Sequence, residues 1–277
     1  MRWLSSIPLL ALSACSPLAV SPPPPTPPPT AISQPVAPNQ PLPSPPPPPA
    51  ASLTPPRLTS KTISGITFEG VAFDSRSHRL RVLDQPAGPG SRWPDAESAG
   101  NSISALAAIN AGFFTPEGSP LGKLVTAGNP VGSWNRSSSL GSGVWLETPG
   151  GHSSILRRES AINSPTPSEM IQAGPLLIEN NRKISGLEST KPAVRILILW
   201  DGNSRWWIGR ASPCSLAALA DAIASRKPAG WTTRSALNLD GGRSSDLWIS
   251  PSVAGGPLLR RSFLNRPVRN FLALVPR

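Results

Sequence analysis

The residues of this chain best suited to chemistry lie in one octapeptide, Asn238-Leu239-Asp240-Gly241-Gly242-Arg243-Ser244-Ser245. It combines a carboxylate, a fixed cation and two hydroxyls with two consecutive glycines, which let the backbone approach a ligand closely or adopt a positive φ. Together these groups suit the binding and reaction of an anionic or polyhydroxyl substrate. The alternative is a plain hairpin turn, because Asp-Gly between apolar runs is a strong hairpin signal.

Apolar runs on both sides of the octapeptide predict a strand before it and a strand after it. Similar short runs predict further strands at 66–73, 79–83, 121–125, 143–147, 153–157, 194–200, 205–210 and 268–275. The runs 143–147 and 153–157 are expected to form one hairpin, and 194–200 and 205–210 another. The clearest helix is 215–225, whose apolar residues share one face, and a second, short helix is expected to end near Gly100 or Asn101. Many short strands with few helices predict an α+β fold, built as a single mixed-sheet domain.

The start of the chain has the pattern of a targeting segment. Arg2 precedes an apolar stretch at 3–12 that is too short to span a bilayer. The following Leu12-Ser13-Ala14-Cys15 resembles the bacterial lipoprotein box, in which the signal is cleaved before a cysteine that is then acylated. We therefore expect a signal peptide at 1–14 and lipid attachment at Cys15. The protein would then be anchored to a membrane of the bacterial cell envelope, facing the periplasm or the exterior. An ordinary secretory signal with an incidental cysteine is the alternative.

A proline-rich segment at 15–56 follows, and its part from 21 to 56 holds 18 of the 37 prolines. Such a composition favours extended polyproline II and cannot bury a core. We expect a disordered tether here and one globular domain at 57–277, which is long enough for a sizeable core. We find no other apolar run long enough to predict a transmembrane helix.

Lysine and arginine exceed aspartate and glutamate, giving a formal net charge of +11. The excess is spread along the chain, and we see no zinc-ligand spacing, recognition helix or RNA-binding aromatic signature. A basic surface of this kind indicates a phosphate-bearing glycan or an anionic envelope as partner rather than a specific nucleic acid. We expect no cofactor and no metal site, with a divalent cation left as an alternative; the oligomeric state is not indicated.

Several reactive or aromatic residues are interpreted structurally. Cys214 has no partner once the first cysteine is acylated, and its apolar surroundings indicate a small buried hydrophobe. His78 and His152 are predicted to be surface residues of loops. Trp206 and Trp207 are neighbours in a predicted strand, so we expect one in the core and one exposed.

Five segments recur in an order and spacing similar to those of a known family. They are Ile109-Asn110-Ala111-Gly112-Phe113-Phe114, Ala173-Gly174-Pro175-Leu176-Leu177, Arg195 before Asp201-Gly202, the octapeptide, and Arg266-Pro267-Val268-Arg269-Asn270. On these segments the chain resembles the phosphodiester glycosidase family over roughly 66–275. The resemblance implies hydrolysis of a sugar 1-phosphodiester, with Asn110, Arg195, Asp240 and the Gly241-Gly242 turn lining the site.

Two positions depart from the common family pattern. Arg243 stands where a third glycine is common, and Ile-Leu-Ile-Leu follows Arg195 where Thr-Ala-Ile-Gly is common. The first change bears on the shape of the substrate, and the second removes a hydroxyl and a glycine near the implied site.

The chemistry of this reaction assigns expected roles to the implied residues. Cleavage of a glycosyl phosphodiester develops positive charge on the sugar ring and negative charge on the leaving phosphate, and glycosidases usually use two carboxyl groups. We expect Asp240 to be the nucleophile, the base or the group that stabilises the ring. Arg195 would bind the phosphate bidentately, and Asn110 would orient a sugar hydroxyl or the phosphate.

The rest of the octapeptide would bind substrate. The amides of Gly241 and Gly242 are expected to be donors, and Ser244 and Ser245 complete a polar loop. Arg243 either adds a second cation or is solvated.

A second carboxylate is the least defined part of the predicted site. Glu117 is the best candidate because its turn follows the Asn110 segment, and a solvated glutamate is the alternative.

A non-catalytic function is the competing hypothesis. A tethered envelope lipoprotein that binds phosphoglycan, peptidoglycan or lipid-linked sugar would share the lipoprotein box, the tether and the basic charge. It would not need Asp240. A nucleic-acid binder rests on net charge alone and is the weakest of the three hypotheses.

Overall fold

The computed structural model describes residues 53–262 and 264–277. The expected signal peptide, Cys15 and most of the proline-rich segment therefore lie outside the described residues. The strands are β1 Arg57–Ile63, β2 Ile66–Asp74, β3 His78–Asp84, β4 Ala107–Asn110, β5 Leu124–Thr126, β6 Asn129–Val131, β7 Gly143–Glu147, β8 Ser153–Arg157, β9 Glu169–Ala173, β10 Leu176–Glu179, β11 Arg182–Lys183, β12 Ala193–Trp200, β13 Arg205–Cys214, β14 Ser235–Asn238, β15 Asp246–Ile249, β16 Leu258–Arg261 and β17 Asn270–Pro276. The α-helices are α1 Ala96–Asn101, α2 Arg158–Ile162 and α3 Leu216–Ser225.

These strands form three sheets. The large sheet has seven strands in the order β1-β2-β13-β12-β14-β10-β11, the second sheet is β16-β15-β4-β17-β3, and the third sheet is β6-β5-β9-β7-β8. The strand pairs within these sheets are antiparallel. Among the described residues, parallel pairing is limited to an isolated bridge between Arg57 and Ala254, so the sheets are less mixed than expected. The predicted α+β class, with many short strands and few helices, is confirmed.

The core lies between the sheets and continues on their outer faces. The large and second sheets pack on a common core that includes Ile198 and Leu272, and the third sheet adds Trp145 to it. A second cluster lies between the outer face of the large sheet and α3, and a third lies between the second sheet and α1. Both faces of the large sheet are therefore covered.

This double covering corrects the expectation for the two neighbouring tryptophans. Trp206 and Trp207 are 1% and 0% exposed, so the prediction that one of them faces solvent is wrong. Neighbouring side chains do point to opposite faces of β13, but Trp206 enters the core between the sheets and Trp207 enters the core beneath α3.

The predicted hairpins and the predicted long helix are confirmed. β7 pairs with β8 and β12 pairs with β13. Helix α3 begins after Ser215, whose side-chain oxygen accepts a hydrogen bond from the Ala218 amide at 3.2 Å, as an N-cap does. Cys214 is buried as expected, and burial raises the pKa of its thiol to about 11, so it is held as an unreactive thiol.

Among the described residues, the helices are all too short or too polar to cross a membrane.

Candidate functional site

The octapeptide connects two different sheets. Asn238 ends β14, which pairs with β12 and β10 in the large sheet, whereas Asp246 begins β15, which pairs with β4 and β16 in the second sheet. The alternative of a plain hairpin is therefore wrong. A crossover between two packed sheets is a position where several strand ends meet.

The backbone of Asp240 is fixed at this junction. Its amide donates to the Ala111 carbonyl at 2.9 Å, and its carbonyl accepts from Asn110 Nδ2 at 2.7 Å. The preceding Leu239 amide donates to the Ile196 carbonyl at 2.7 Å. Asp240 is thereby tied to the second sheet through β4 and to the large sheet through β12.

The carboxyl of Asp240 has an unusual proton affinity. Burial raises the pKa of this carboxyl to about 6, against hydrogen bonds from the Ser244 hydroxyl and the Gly241 amide, which lower it. The residue as a whole is partly exposed, whereas its carboxyl is largely buried. A carboxyl with a pKa near neutrality is suited to exchange a proton with a substrate or a water.

This raised pKa predicts how stability depends on pH. In the unfolded chain the Asp240 carboxyl loses its proton near pH 3.8, whereas in the folded protein the carboxyl keeps its proton until about pH 6. The folded state therefore binds more protons between these values, and this group lowers the free energy of unfolding as pH rises through that window, by on the order of 3 kcal/mol.

Urea unfolding of the wild type and of Asp240→Asn at pH 4, 5, 6 and 7 measures this effect. The difference between the two proteins isolates Asp240 from the other carboxyls. We expect the variant to gain stability relative to the wild type from pH 4 to pH 6 and to keep that gain at pH 7. A difference that does not change with pH would contradict the raised pKa.

Asn110 bonds to Asp240 inside the octapeptide and to Asp246, the residue that follows it. It is the last residue of β4 and is 0% exposed. Its Nδ2 donates to the Asp240 carbonyl, and its Oδ1 accepts from the Asp246 amide at 2.9 Å. Both polar groups of the side chain are thus used within the protein, and its expected contact with substrate stays a prediction.

The two glycines of the octapeptide have different surroundings. A Cβ on Gly241 would lie 2.5 Å from the Val194 carbonyl oxygen, whereas Gly242 has open space around it and a φ of +61°. Gly241 thus lets the loop lie directly on the backbone of β12, and Gly242 begins the 3₁₀ turn Gly242–Ser244 in a conformation that favours glycine.

Replacing Gly241 with Ala is expected to push the loop away from β12, because a Cβ cannot sit so close to a carbonyl oxygen. We expect kcat/KM to fall about 10- to 100-fold and the unfolding free energy to fall by about 1–3 kcal/mol. Gly150→Ala is the matched control, since the nearest atom to a Cβ there is 3.8 Å away. Equal effects of the two substitutions on kcat/KM, measured by steady-state kinetics, would show that the close approach of Gly241 is unimportant.

Arg195 lies next to the octapeptide, but its guanidinium is held elsewhere. Its Nε donates to the Cys214 carbonyl at 2.9 Å, one terminal nitrogen donates to the Lys191 carbonyl at 2.7 Å, and Glu188 is 3.6 Å away. Burial lowers the pKa of this guanidinium, which the Glu188 carboxylate opposes. The described contacts of the side chain thus do not join it to Asp240, and its expected phosphate contact stays a prediction.

The remaining residues of the octapeptide differ in exposure. Arg243 is exposed, and within residues 53–262 and 264–277 its guanidinium forms no hydrogen bond or ion pair, while its carbonyl accepts from the Arg266 amide at 3.2 Å. Ser244 contacts the Asp240 carboxyl. Ser245 is 3% exposed, and its buried hydroxyl has no hydrogen-bond partner among the described residues.

None of the described contacts joins Glu117 to Asp240. It lies in an exposed turn, where the hydroxyl of Thr115 and its own amide lower the pKa of its carboxyl. Its role as a second carboxylate stays a prediction.

Asn238 and Asn270 bring two further segments of the resemblance to the octapeptide. Asn238 Nδ2 donates to the Gly174 carbonyl at 2.9 Å, and its amide donates to the Pro175 carbonyl at 3.1 Å. Asn270 Oδ1 accepts from the Gly112 amide at 2.6 Å, next to the residues that hold Asp240. The Asn270 Nδ2 is buried and unpartnered among the described residues.

Sequence reasoning assigned no role to Asn270 or to the neighbouring Arg269. Arg269 is buried and forms a two-point ion pair with Asp84, at 2.7 and 2.9 Å, and donates to the Gly118 carbonyl at 3.0 Å. The pair therefore fixes the turn that carries Glu117. The signal for both residues was present in the closing segment Arg266-Pro267-Val268-Arg269-Asn270.

No group of three or more histidine, cysteine, aspartate or glutamate side chains suited to hold a metal ion occurs in the part of the chain that the structure describes.

Several solved structures are similar to this chain. A hypothetical protein from Synechocystis matches 79% of this chain at 18% identity and a TM-score of 0.58, and the chain spans 61% of that protein. The catalytic domain of zebrafish N-acetylglucosamine-1-phosphodiester alpha-N-acetylglucosaminidase, auto-inhibited by its pro-peptide, matches 80% of this chain and 82% of its own length, at 16% identity and a TM-score of 0.55. At these identities the likeness establishes the fold.

A comparison with curated protein sequences finds no match. The sequence pattern of the phosphodiester glycosidase family matches residues 104–275, a span that includes Asn110, Arg195 and the whole octapeptide. This span is more than half of the chain and contains every segment that meets at the sheet junction. The chain therefore belongs to the phosphodiester glycosidase family.

Proposed function

We propose that this protein is a hydrolase that cleaves a sugar 1-phosphodiester at the octapeptide, releasing the sugar from a phosphorylated aglycone. The observation that carries the proposal is Asp240, a partly exposed residue whose backbone is tied to both sheets and whose carboxyl has a pKa raised to about 6 by burial. Family membership supports the reaction class. The substrate would be a phosphorylated glycan or glycolipid.

In the proposed reaction the bond between the anomeric carbon and the phosphate oxygen breaks. The electron pair leaves with the phosphate, which is a good leaving group and needs little protonation. The Asp240 carboxylate stabilises the positive charge that develops on the ring, and water supplies the oxygen that ends on the anomeric carbon. The proton released by that water passes to Asp240 or to solvent, so the products are a free sugar and a phosphate monoester.

The phosphate needs positive charge and donors near Asp240. Because the Arg195 guanidinium is engaged by the Lys191 and Cys214 carbonyls, we assign phosphate binding to Arg243, which is exposed within the octapeptide itself. The amide of Gly242 would add a donor for the phosphate oxygens, whereas the amide of Gly241 already donates to the Asp240 carboxyl. Arg195 and Asn110 become positioning residues, which act by holding the segments on which the octapeptide lies.

Hydrolysis in ¹⁸O-labelled water tests which bond is broken. The full chain is incubated with a panel of sugar 1-phosphodiesters that differ in sugar and in aglycone, and both products are analysed by mass spectrometry. We expect the label in the free sugar, because water attacks the anomeric carbon. Label in the phosphate would show attack at phosphorus and would contradict the proposed chemistry. Binding of substrates without any turnover would favour the competing function, a glycan-binding lipoprotein.

We further propose that the enzyme is anchored to a membrane of the bacterial envelope by a lipid on Cys15. The support for this comes from the sequence, in which Leu12-Ser13-Ala14-Cys15 resembles the lipoprotein box. Expression in a bacterial host with an alkyne fatty acid should label the wild type and leave Cys15→Ser unlabelled. Equal labelling of the two proteins would contradict attachment at Cys15.

A further inference from the structure

A cavity of about 580 Å³ lies at the end of the large sheet opposite to the octapeptide. The strand register separates the two places. The cavity is lined by the start of β1, the end of β2 and the start of β13, where Arg57 is opposite Ala72 and Arg205 is opposite Asp74. The octapeptide instead leaves β14 beside Leu197, toward the other end of β12. The cavity therefore belongs to a different part of the surface from the candidate active site.

Positive side chains share one face of the sheet at this cavity. Strand alternation places Arg57, Thr59 and Lys61 on the same face of β1, and the register places Arg205 on that face two strands away. Thr54, Thr59 and Ser60 also line the cavity, and the mostly buried Trp231 forms part of its wall. The Thr59 hydroxyl accepts a hydrogen bond from Trp207 Nε1 at 2.8 Å. Cations, hydroxyls and an aromatic side chain thus surround one space.

The carboxylate in the lining does not cancel this charge. Asp74 is 3% exposed and binds Arg76 through both of its oxygens, at 2.6 Å for the shortest contact. Burial would raise the pKa of Asp74, but the stronger hydrogen bond from Arg76 lowers it, so this pair is ionised and internally neutral. Arg205 is likewise paired, with Asp201 at 2.7 Å, so the net charge of the cavity comes from Arg57 and Lys61.

The basic side chains keep donors for a ligand. Lys61 donates one hydrogen bond, to the Lys227 carbonyl at 3.0 Å, which ties β1 to the segment that carries Trp231. Arg205 is 60% exposed and pairs with Asp201 through Nε alone. Within the described ranges 53–262 and 264–277, Arg57 forms no side-chain hydrogen bond or ion pair. A guanidinium fork binds a phosphate or carboxylate group in two-point fashion.

We propose that this cavity is a second binding site, for an anionic oligosaccharide, separate from the site of hydrolysis. The basic side chains would bind the acidic group, the exposed Thr54 would exchange hydrogen bonds with the sugar hydroxyls, and the small exposed part of Trp231 would contact an apolar sugar face. A volume of about 580 Å³ lies within the usual range for small-ligand sites. The proposal goes beyond the proposed function and does not require that Asp240 act in catalysis.

Calorimetric titration of the full chain with a phosphorylated dextran oligosaccharide tests the site, because this probe has no anomeric phosphodiester to be cleaved. The same dextran without phosphate and an inorganic polyphosphate of equal charge separate the sugar from the charge. We expect the phosphorylated dextran to bind most tightly. The double substitution Arg57→Gln/Lys61→Gln should weaken its binding at least about tenfold, since it removes two charge-assisted contacts.

The matched control is Arg182→Gln/Lys183→Gln, which removes an exposed basic pair from β11 at the opposite edge of the same sheet. This control should bind the probe as the wild type does. Equal weakening by both double variants, or equal affinity for phosphorylated dextran and for either of the two comparison probes, would overturn the proposal. The Arg57→Gln/Lys61→Gln variant should keep its kcat/KM on small sugar 1-phosphodiesters. A chain without any hydrolytic activity would refute the proposed function and leave these binding results valid.

Discussion

Asp240→Asn is expected to lower kcat/KM for sugar 1-phosphodiesters by about a thousandfold. The substitution keeps the size of the side chain and the backbone contacts of residue 240 with Ala111 and Asn110. It removes the negative charge that would stabilise the sugar ring and the oxygen that would take the proton from water. Steady-state kinetics with the full chain measure the effect, and equilibrium binding should show that affinity for the sugar is retained.

Asp221→Asn is the matched control for this experiment. Asp221 is an exposed carboxylate on α3 that pairs with Lys183 at 2.6 Å, so its substitution removes the same charge from the surface. We expect that variant to have the activity of the wild type. Turnover of Asp240→Asn close to that of Asp221→Asn would remove Asp240 from the mechanism.

Asn110→Ala is expected to have the largest effect on stability, with a loss of about 2–4 kcal/mol in the free energy of unfolding. The substitution leaves the Asp240 carbonyl, inside the octapeptide, and the buried amide of Asp246, just after it, without their partner. Because Asp240 is then no longer fixed between the sheets, activity should also fall, by about a hundredfold. Urea unfolding and steady-state kinetics on the same preparation measure both effects.

Asn129→Ala provides the comparison, since Asn129 is exposed and its side chain makes a long hydrogen bond of 3.3 Å to the Ala127 carbonyl. That variant should stay within about 0.5 kcal/mol of the wild type. If Asn110→Ala were as stable as Asn129→Ala, the two hydrogen bonds of Asn110 would not be what holds the octapeptide.

Local patterns in the sequence were sufficient to predict many of the individual elements. The hairpins β7–β8 and β12–β13 follow from apolar runs separated by polar turns, and α3 follows from its apolar face and its serine cap. Local patterns do not predict which strands pair, because the partners of a strand can be distant in sequence. The runs before and after the octapeptide look like a hairpin, yet β14 and β15 find their partners in different sheets.

The same distinction applies to single side chains. The sequence could not predict whether Trp207 lies at the surface or in the core. Strand alternation predicts which face of the strand a side chain is on, but not whether another element covers that face. The partners of Asn110 and Arg195 were likewise beyond prediction, because the Asp246 amide is 136 residues from Asn110 and the Cys214 carbonyl reaches Arg195 through strand pairing. The motif marks the candidate site, and the long-range contacts distinguish the exposed Arg243 from the internally bonded Arg195.

The dependence of kcat/KM on pH, measured with the full chain and a soluble sugar 1-phosphodiester between pH 4 and pH 8, tests the central claim most directly. If the Asp240 carboxylate is the reacting group, activity must rise with pH through the ionisation of that carboxyl and level off above it. The account predicts a rising limb with a midpoint near pH 6, where burial has raised the pKa of Asp240. A profile that is flat from pH 5 to pH 7, or that falls through this range, would contradict the account.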